Sequence, residues 1–436
     1  METHASCGGH RLAAALPQGH PLASFVIRLA LSGLSWLSKY GQVPASEADA
    51  PDGLLLTGAT GFLGMELLAR YLKRGERTIY TLVRAASDAQ ADLRVRQLLE
   101  SLVDDPDEYA GRVHPVRGDV SRSNLGMSSA RREHLAEHVG EVVHCAASVS
   151  FDISLQRARE VNVHGTRRIL ELAALCDRRG GLRGLSHVST AYVAGAQRGV
   201  FAEHDLPPRE GFRNAYERSK AEAEQLVRDW AQRLPLQIFR PSIVVGDSRS
   251  GWTPAFNVIY GPLRAFACGT YTAVPGRRAA PVDVVPVDYV ADAIISLAGR
   301  PGTVHHLTAA AAAATLGEMI ELACAHFGRR RPVLVSPALY RRVAHPLLMM
   351  RANERQRRGL RRSEAYFPYF DARVRYDDAQ ARVGLAPLGV QVPPLADYFA
   401  RLMQFAEDCE WGRRAVPRKD AIVRAQSARA DSLALV

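Results

Sequence analysis

Thr57-Gly58-Ala59-Thr60-Gly61-Phe62-Leu63-Gly64 is the stretch whose reading decides the fold. It follows a short apolar run, residues 53–56, and opens a segment, residues 65–74, that reads as a helix. Glycine recurs at every third position. Without Cβ atoms these glycines permit a tight turn, let the backbone approach a pyrophosphate, and let the helix pack closely on the strand. The helix N-terminus then offers N–H groups and the positive end of its dipole to phosphate. The spacing alone is a weak signal; a strand before it and a helix after it make it a dinucleotide-binding turn. Thr57, Gly58, Thr60, Gly61, Phe62, Leu63 and Gly64 are the expected cofactor-binding residues of this turn.

Outward from the turn, strands and helices alternate. Strands are expected at 53–56, 78–83, 113–116, 141–144, 185–188 and 236–239, and helices at 65–74, 94–103, 159–176 and 215–233. This pattern predicts an α/β protein, a Rossmann-type doubly wound parallel sheet with helices on both faces. The less regular end of the chain predicts a smaller, mostly helical C-terminal substrate region, with a helix at 316–327. The expected organisation is an N-terminal extension over 1–49, a nucleotide-binding domain over 50–310, and a substrate or interaction region over 311–436.

At 436 residues, with 47% hydrophobic and 23% charged residues, the composition excludes a disordered, fibrous or disulfide-scaffold protein. The six cysteines form no CxxC pair, so neither a zinc site nor a disulfide framework is expected, and no metal. A reducing, cytoplasmic setting is the simplest reading. Lys and Arg outnumber Asp and Glu by 56 to 45, for a net charge of +11, which favours anionic partners.

Two segments bear on membranes. Over 22–39, polar residues at Ser24, Arg28, Ser32, Ser35 and Lys39 trace one narrow stripe on a helix whose remaining surface is mostly apolar. Docking on the body of the protein is the reading slightly favoured; the other is an in-plane membrane helix with Trp36 and Lys39 near the headgroups. Arg28 argues against a spanning helix and a cleaved leader. Over 341–362 there are eight arginines (341, 342, 351, 355, 357, 358, 361 and 362) and one acid, Glu354. A solvated face is the base expectation. The alternative is a docking surface for an acidic carrier protein, coenzyme phosphates or anionic membrane. No nucleic-acid-binding motif is present, and no nucleic-acid partner is expected.

The second strand ends in Leu82-Val83-Arg84. An acid there would hold the ribose 2′-OH of NAD; Arg84 suits the 2′-phosphate of NADP, a plain surface arginine being the alternative. Asp119, after the third strand, is a candidate for the adenine amino group, or an ordinary turn residue. Tyr216 and Lys220 lie four apart and share one helix face. A neighbouring ammonium and an oxidised nicotinamide favour phenolate, which would bring the tyrosine towards the working range of a general acid/base. Ser189 and Thr190 leave the end of a strand, and either hydroxyl is a candidate to help Tyr216 hold a carbonyl oxygen. Asn162 is a candidate to brace Lys220 directly or through water, an ordinary polar helix residue being the alternative.

These residues resemble the extended short-chain dehydrogenase/reductases. The resemblance rests on Gly58/Gly61/Gly64, Asp119, Asn162-Val163-His164-Gly165-Thr166, Ser189-Thr190 and Tyr216/Lys220, in the family's order over roughly residues 53–310. Family spacing from Gly195 points to Thr190 rather than Ser189. Within the family, Leu82-Val83-Arg84, residues 144–152 (HCAASVSFD), Ser189-Thr190-Ala191-Tyr192-Val193 and residues 240–247 (RPSIVVGD) are most similar to the fatty acyl-CoA reductase and thioester reductase branch. Matched to its motifs, Val120, Ala146, Ala147, Pro241, Ile243 and Lys220 join the cofactor-binding set, and Thr190, Tyr216, Lys220 and Asn162 form the catalytic one.

The resemblance implies NADP(H) as cofactor and an acyl-CoA or acyl carrier protein thioester as substrate, reduced to aldehyde or on to alcohol. No adenylation or carrier domain is recognisable, so the activated acyl group is expected from elsewhere. The same Thr-Tyr-Lys group would serve a steroid-type alcohol dehydrogenase or a nucleotide-sugar dehydrogenase or epimerase. A non-catalytic NADP sensor has no need of all three residues. Apolar stretches at 252–256, 258–260 and 263–266 are read as an acyl channel or as ordinary core. Peripheral membrane contact through 22–39 or 341–362 and a homo-oligomer are compatible with the sequence.

Overall fold

The structure, a computed structural model, describes residues 51–434 apart from 355–356, 358–359, 362–363 and 370–371. The expected helix at 22–39 lies outside the described residues, as do Arg355, Arg358 and Arg362.

Seven strands form the central sheet: β1 Gly53–Thr57, β2 Ile79–Val83, β3 Val113–Arg117, β4 Val139–His144, β5 Gly184–Val188, β6 Leu236–Pro241 and β7 Val304–Leu307. Their order is β7-β6-β5-β4-β1-β2-β3, with every pairing parallel. The chain builds one side as β1, β2, β3, then crosses β1 to lay down β4. The switch point therefore falls between β1 and β4, where Thr57 lies beside His144 in register and both strands end. In such sheets the crevice at the carboxyl ends of these two strands takes the ligand.

Covered faces explain the apolar runs. Leu54 and Leu56 enter the core beneath α1 (Phe62–Arg74) and α2 (Asp88–Leu102), together with Leu67 and Val95. Leu55 points the other way, into a core shared with Val142, Ile169 and Val227. Successive strand residues alternate faces, so a strand buried on both sides is apolar throughout. On this second face lie α3 (Ser129–His138) and α4, which begins at Leu155–Arg159, passes through a π turn at Glu160–His164 and continues over Gly165–Gly180. α5 (Ala215–Trp230) packs beside it.

Side-chain caps set helix starts that apolar periodicity places late. Ser87 accepts from Gln90 N at 3.2 Å and starts α2 at Asp88 rather than 94. Ser128 accepts from Arg131 N and starts α3, which the apolar pattern misses. Asn214 accepts from Glu217 N at 3.0 Å and starts α5 at Ala215, as the sequence predicts.

Beyond β6 come α6 (Tyr260–Ala267), α7 (Val287–Leu297), α8 (Leu316–Phe327), α9 (Leu395–Asp408) and α10 (Arg418–Ala434). α7 and β7 are additions to the sequence reading; α7 packs on α1. A third core gathers Val245, Leu263, Phe266, Leu316, Met319, Leu395 and Leu402. Segments after residue 310 return to the body repeatedly. Arg373–Tyr376 pairs in parallel with Arg198–Phe201. Buried Glu203 accepts from the backbone N–H groups of His306, Gln380 and Ala381. Arg418 of α10 makes two hydrogen bonds to buried Glu66 of α1. No helix among the described residues is long and apolar enough to cross a membrane.

Candidate active site

The glycine turn sits at the switch point. Gly58 has φ +77°, and a Cβ there would stand 2.8 Å from Ala146 N. A Cβ on Gly64 would collide with the Gly58 carbonyl oxygen. No side chain caps α1, and no acid occupies its first turn. A backbone cradle and an uncapped helix N-terminus therefore meet beside β4, and these residues fit a dinucleotide pyrophosphate. Thr60 and Gly61 are exposed at the turn; Gly58, Phe62 and Leu63 are half-buried.

Thr57 is different. Its side chain is buried, and its hydroxyl bonds to His144 Nδ1 at 2.8 Å and accepts from Ala146 N at 3.2 Å. His144 Nε2 continues the chain to Thr166 at 3.1 Å. Burial, with the Lys220 charge nearby, pushes His144 down to about 3, so the ring is neutral and bridges two hydroxyls. Thr57 thus braces the segment after β4, while its neighbours form the turn itself.

Arg84 is exposed at the end of β2. Asp119, after β3, accepts from Ser121 N and Ser121 Oγ, each at 2.8 Å. Partial burial works against its charge, but these bonds and the charges of Arg84 and Arg122 hold its carboxyl below the usual range. Arg84 and Asp119 are therefore neighbours. Val120 is buried against Gly165. Ala146 and Ala147 are half-buried in the segment after β4.

Tyr216 and Lys220 project from the first turns of α5. Thr190, at the end of β5, shares a hydrogen bond with the Tyr216 phenol and donates to the Pro241 carbonyl at 3.3 Å. Lys220 Nζ donates to the Val188 carbonyl at 2.8 Å. Thr190, Tyr216 and Lys220 thus converge where β5 ends. The adjacent Ser189 hydroxyl donates to Glu224 at 2.8 Å and is turned away. Burial pushes Lys220 down to about 8, with Cys145 and Glu224 opposing. Burial also pushes the Tyr216 phenol up to about 12, with the Thr190 bond opposing. The phenol is thus raised by burial, whereas the sequence reading expects a neighbouring ammonium and an oxidised nicotinamide together to favour phenolate; the opposing influence here is the Thr190 hydrogen bond.

Asn162 does not touch Lys220. From the π turn it accepts from Ser148 N at 2.7 Å and donates to Ser148 O at 3.0 Å and Ser219 Oγ at 2.9 Å. It clamps the segment after β4 to α5, one residue from Lys220. Behind α5, Glu224 and Arg240 are both fully buried and make two hydrogen bonds, at 2.6 and 3.0 Å, which fix the helix against β6.

An apolar cavity of about 80 Å³ opens beside this group, lined among others by Ile243, Val258, Leu263, Phe266, Met319 and Ala323. The apolar stretches read as channel or core divide between the two. Val258, Ile259, Leu263 and Phe266 line the cavity, whereas Trp252 is buried with Phe405 and Cys409. An aromatic group links the cavity to Tyr216. Phe151 lies 5.6 Å from Tyr216 and 5.6 Å from Tyr369, and Tyr369, a cavity wall, lies 5.1 Å from Tyr192. Sequence reasoning missed this role for Phe151, Tyr192 and Tyr369. The first two lie inside quoted motifs; Tyr369 sits in the aromatic cluster that follows the arginine run.

A model of an NAD-binding family described as male sterility protein matches residues 56–294. The fatty acyl-CoA reductase wat of Drosophila melanogaster is 32% identical over 284 residues, covering 56% of this chain and 54% of the reductase. The isonitrile lipopeptide synthase of Streptomyces coeruleorubidus is 34% identical over 260 residues, 59% of this chain and 17% of the synthase. The chain thus spans about half the length of the reductase and a small part of the synthase. The crystal structure of the terminal R domain from the myxalamid PKS-NRPS biosynthetic pathway matches with a TM-score of 0.72 at 26% identity, over 86% of this chain and 98% of that one. Together with the topology, the family match supports a nicotinamide cofactor for this chain.

Proposed function

This chain belongs to the male sterility protein family, within the extended short-chain dehydrogenase/reductases, and from that premise we propose that it reduces acyl thioesters with NADPH. One observation carries the reading: the Thr190–Tyr216 hydroxyl pair stands one aromatic ring away from a cavity lined almost wholly by apolar side chains. A nucleotide sugar has no use for such a cavity; an acyl chain does. Likeness to the fatty acyl-CoA reductase and to the R domain supports the same substrate class. Arg84, exposed at the end of β2 beside Asp119, supports NADPH as the cofactor.

NADPH, when bound, supplies the hydride. The protein's part is to hold and polarise the carbonyl. The Thr190 and Tyr216 hydroxyls bind its oxygen and stabilise the negative charge that develops there. A phenol raised to about 12 stays protonated at neutral pH, as a reductive step requires, and gives its proton to that oxygen. The resulting thiohemiacetal breaks its C–S bond; the thiol leaves with a proton, and the aldehyde remains. Lys220, one helical turn from Tyr216, stands where its ammonium can balance the phenolate that follows.

The test is transfer of deuterium from labelled NADPH to a panel of acyl-CoA and carrier-bound thioesters, with products identified by mass spectrometry. The expected result is a singly labelled aldehyde or doubly labelled alcohol, with Tyr216→Phe slowed about 10²–10⁴-fold. Absence of label in any thioester product overturns the proposal.

A further inference from the structure

A second cavity, of about 470 Å³, lies on the other side of Pro275, which lines both. Its chemistry is opposite to that of the apolar one. Arg198, Arg213, Arg341 and Arg373 line it together with His345, against one carboxylate, Glu364. Glu364 is set against His345 at 3.2 Å, and Arg213 is paired with Glu217 at 3.2 Å. Neither Arg198 nor Arg341 is engaged by a carboxylate among the described residues. Converging like charges repel, and that arrangement favours an anion entering between them.

The position of the cavity says which anion. Arg213 lies over the Tyr369 ring at 5.3 Å, and Tyr369 is the ring that joins the apolar cavity to Phe151 and Tyr216. Three compartments therefore meet at one aromatic junction: an apolar pocket, a hydroxyl pair and a cationic pocket. An acyl thioester on a pantetheine arm has the same three parts: an apolar chain, a reactive carbonyl and a phosphorylated end.

We infer that the cavity lined by Arg198 and Arg341 binds the phosphate of the pantetheine carrier, while the thioester lies at Thr190 and Tyr216 and the acyl chain fills the apolar cavity. The inference rests on the thioester reading proposed above. Arg341 and Arg373 lie beyond residue 294, where the family match ends, so this pocket is built largely by the chain's own C-terminal part. Guanidinium groups suit phosphate because their paired N–H donors match its oxygens.

The test measures binding, not turnover, so that its outcome is separate from that of the label-transfer experiment. Calorimetric titrations, with NADP⁺ saturating to fill the glycine turn, use three probes: coenzyme A, 4′-phosphopantetheine and pantetheine. Coenzyme A and 4′-phosphopantetheine are expected to bind roughly 10–100-fold more tightly than pantetheine, the range of one to two charge-assisted hydrogen bonds. In the double variant Arg198→Ala/Arg341→Ala that advantage disappears. The single variant Arg341→Glu, at an exposed position and with an unchanged melting curve, weakens both phosphorylated probes. Equal affinity for the two phosphorylated probes identifies the pantetheine phosphate, which a carrier protein also presents; tighter binding of coenzyme A adds its nucleotide phosphates. Pantetheine binding as tightly as coenzyme A, or full coenzyme A affinity in the double variant, overturns the inference.

Discussion

Ser189 and Thr190 are neighbours in sequence, yet their hydroxyls serve opposite sides of the end of β5. Ser189 donates to buried Glu224 at 2.8 Å, while Thr190 donates to the Pro241 carbonyl at 3.3 Å and shares a hydrogen bond with the Tyr216 phenol. Alternation along a strand accounts for this split. Thr190→Val removes an oxygen-binding donor and is expected to lower kcat about 10²–10³-fold with NADPH binding kept. Ser189→Ala leaves Glu224 short of one bond and is expected to cost roughly 1 kcal/mol of stability with kcat within a few-fold of wild type. Steady-state NADPH oxidation and thermal melts on the same two variants check both.

Lys220 carries a pH prediction of two opposite signs. Burial holds its folded-state pKa at about 8, below the ordinary lysine value. The unfolded chain therefore binds more protons between about pH 8 and the ordinary lysine value, and this group's contribution to stability rises with pH across that window. Activity that needs the ammonium falls as pH rises through about 8. Lys220→Met is expected to lose most activity while raising the pH 7 melting temperature, by relief of a penalty on the order of 3 kcal/mol. The gap to wild type narrows from pH 8 to 10. Melting curves and a pH–rate profile read both limbs; an activity that stays level through pH 9 contradicts the role given to the ammonium.

Arg84 stands where β2 ends, near Asp119 and without contact to the Thr190–Tyr216 pair. Arg84→Ala is expected to reduce kcat/KM for NADPH roughly 10–100-fold, the loss of a charged contact to phosphate, and to leave NADH little affected. Parallel measurements with the two cofactors decide it. An equal loss with both would move the cofactor-discriminating position elsewhere.

Ala323 of α8 faces the apolar cavity as one of its smallest lining side chains. Ala323→Phe fills that space and is expected to shift the substrate profile towards shorter acyl groups, with roughly tenfold or greater loss for long chains relative to short ones. Turnover across a chain-length series, with a melting curve to record any overpacking cost, tests it.

The features legible in the sequence are local. The period of Gly58, Gly61 and Gly64 and the four-residue step from Tyr216 to Lys220 each lie within one turn or one helix. Whatever is assembled from distant segments left no comparable trace. The junction at Phe151 joins residues 151, 216 and 369, and no periodicity links them. Helix starts suffered for a different reason. The first turn of α2, Asp88-Ala89-Gln90-Ala91, buries only the small Ala91, so the apolar pattern places the start at 94, although Ser87 marks the true one. The apolar stretches at 252–266 mix Trp252, which is core, with Leu263, which lines the cavity, because both environments ask for the same residue types. The sequence points Asn162 towards Lys220, whereas its direct partner on α5 is Ser219, which spacing does not distinguish from the lysine beside it.

The parallel pairing of Arg373–Tyr376 with Arg198–Phe201 ties two distant pieces of the chain into one seam. Tyr366 and Tyr369 line the apolar cavity from a segment far along the chain, and that segment is anchored by a strand next to the one bearing Arg198 and by Glu203 just beyond it. The cavity wall at Tyr366 and Tyr369 therefore depends on a seam between residues 198–203 and 373–381. A chimera between relatives that exchanges only one of the two pieces breaks that seam, whereas one that moves both keeps it.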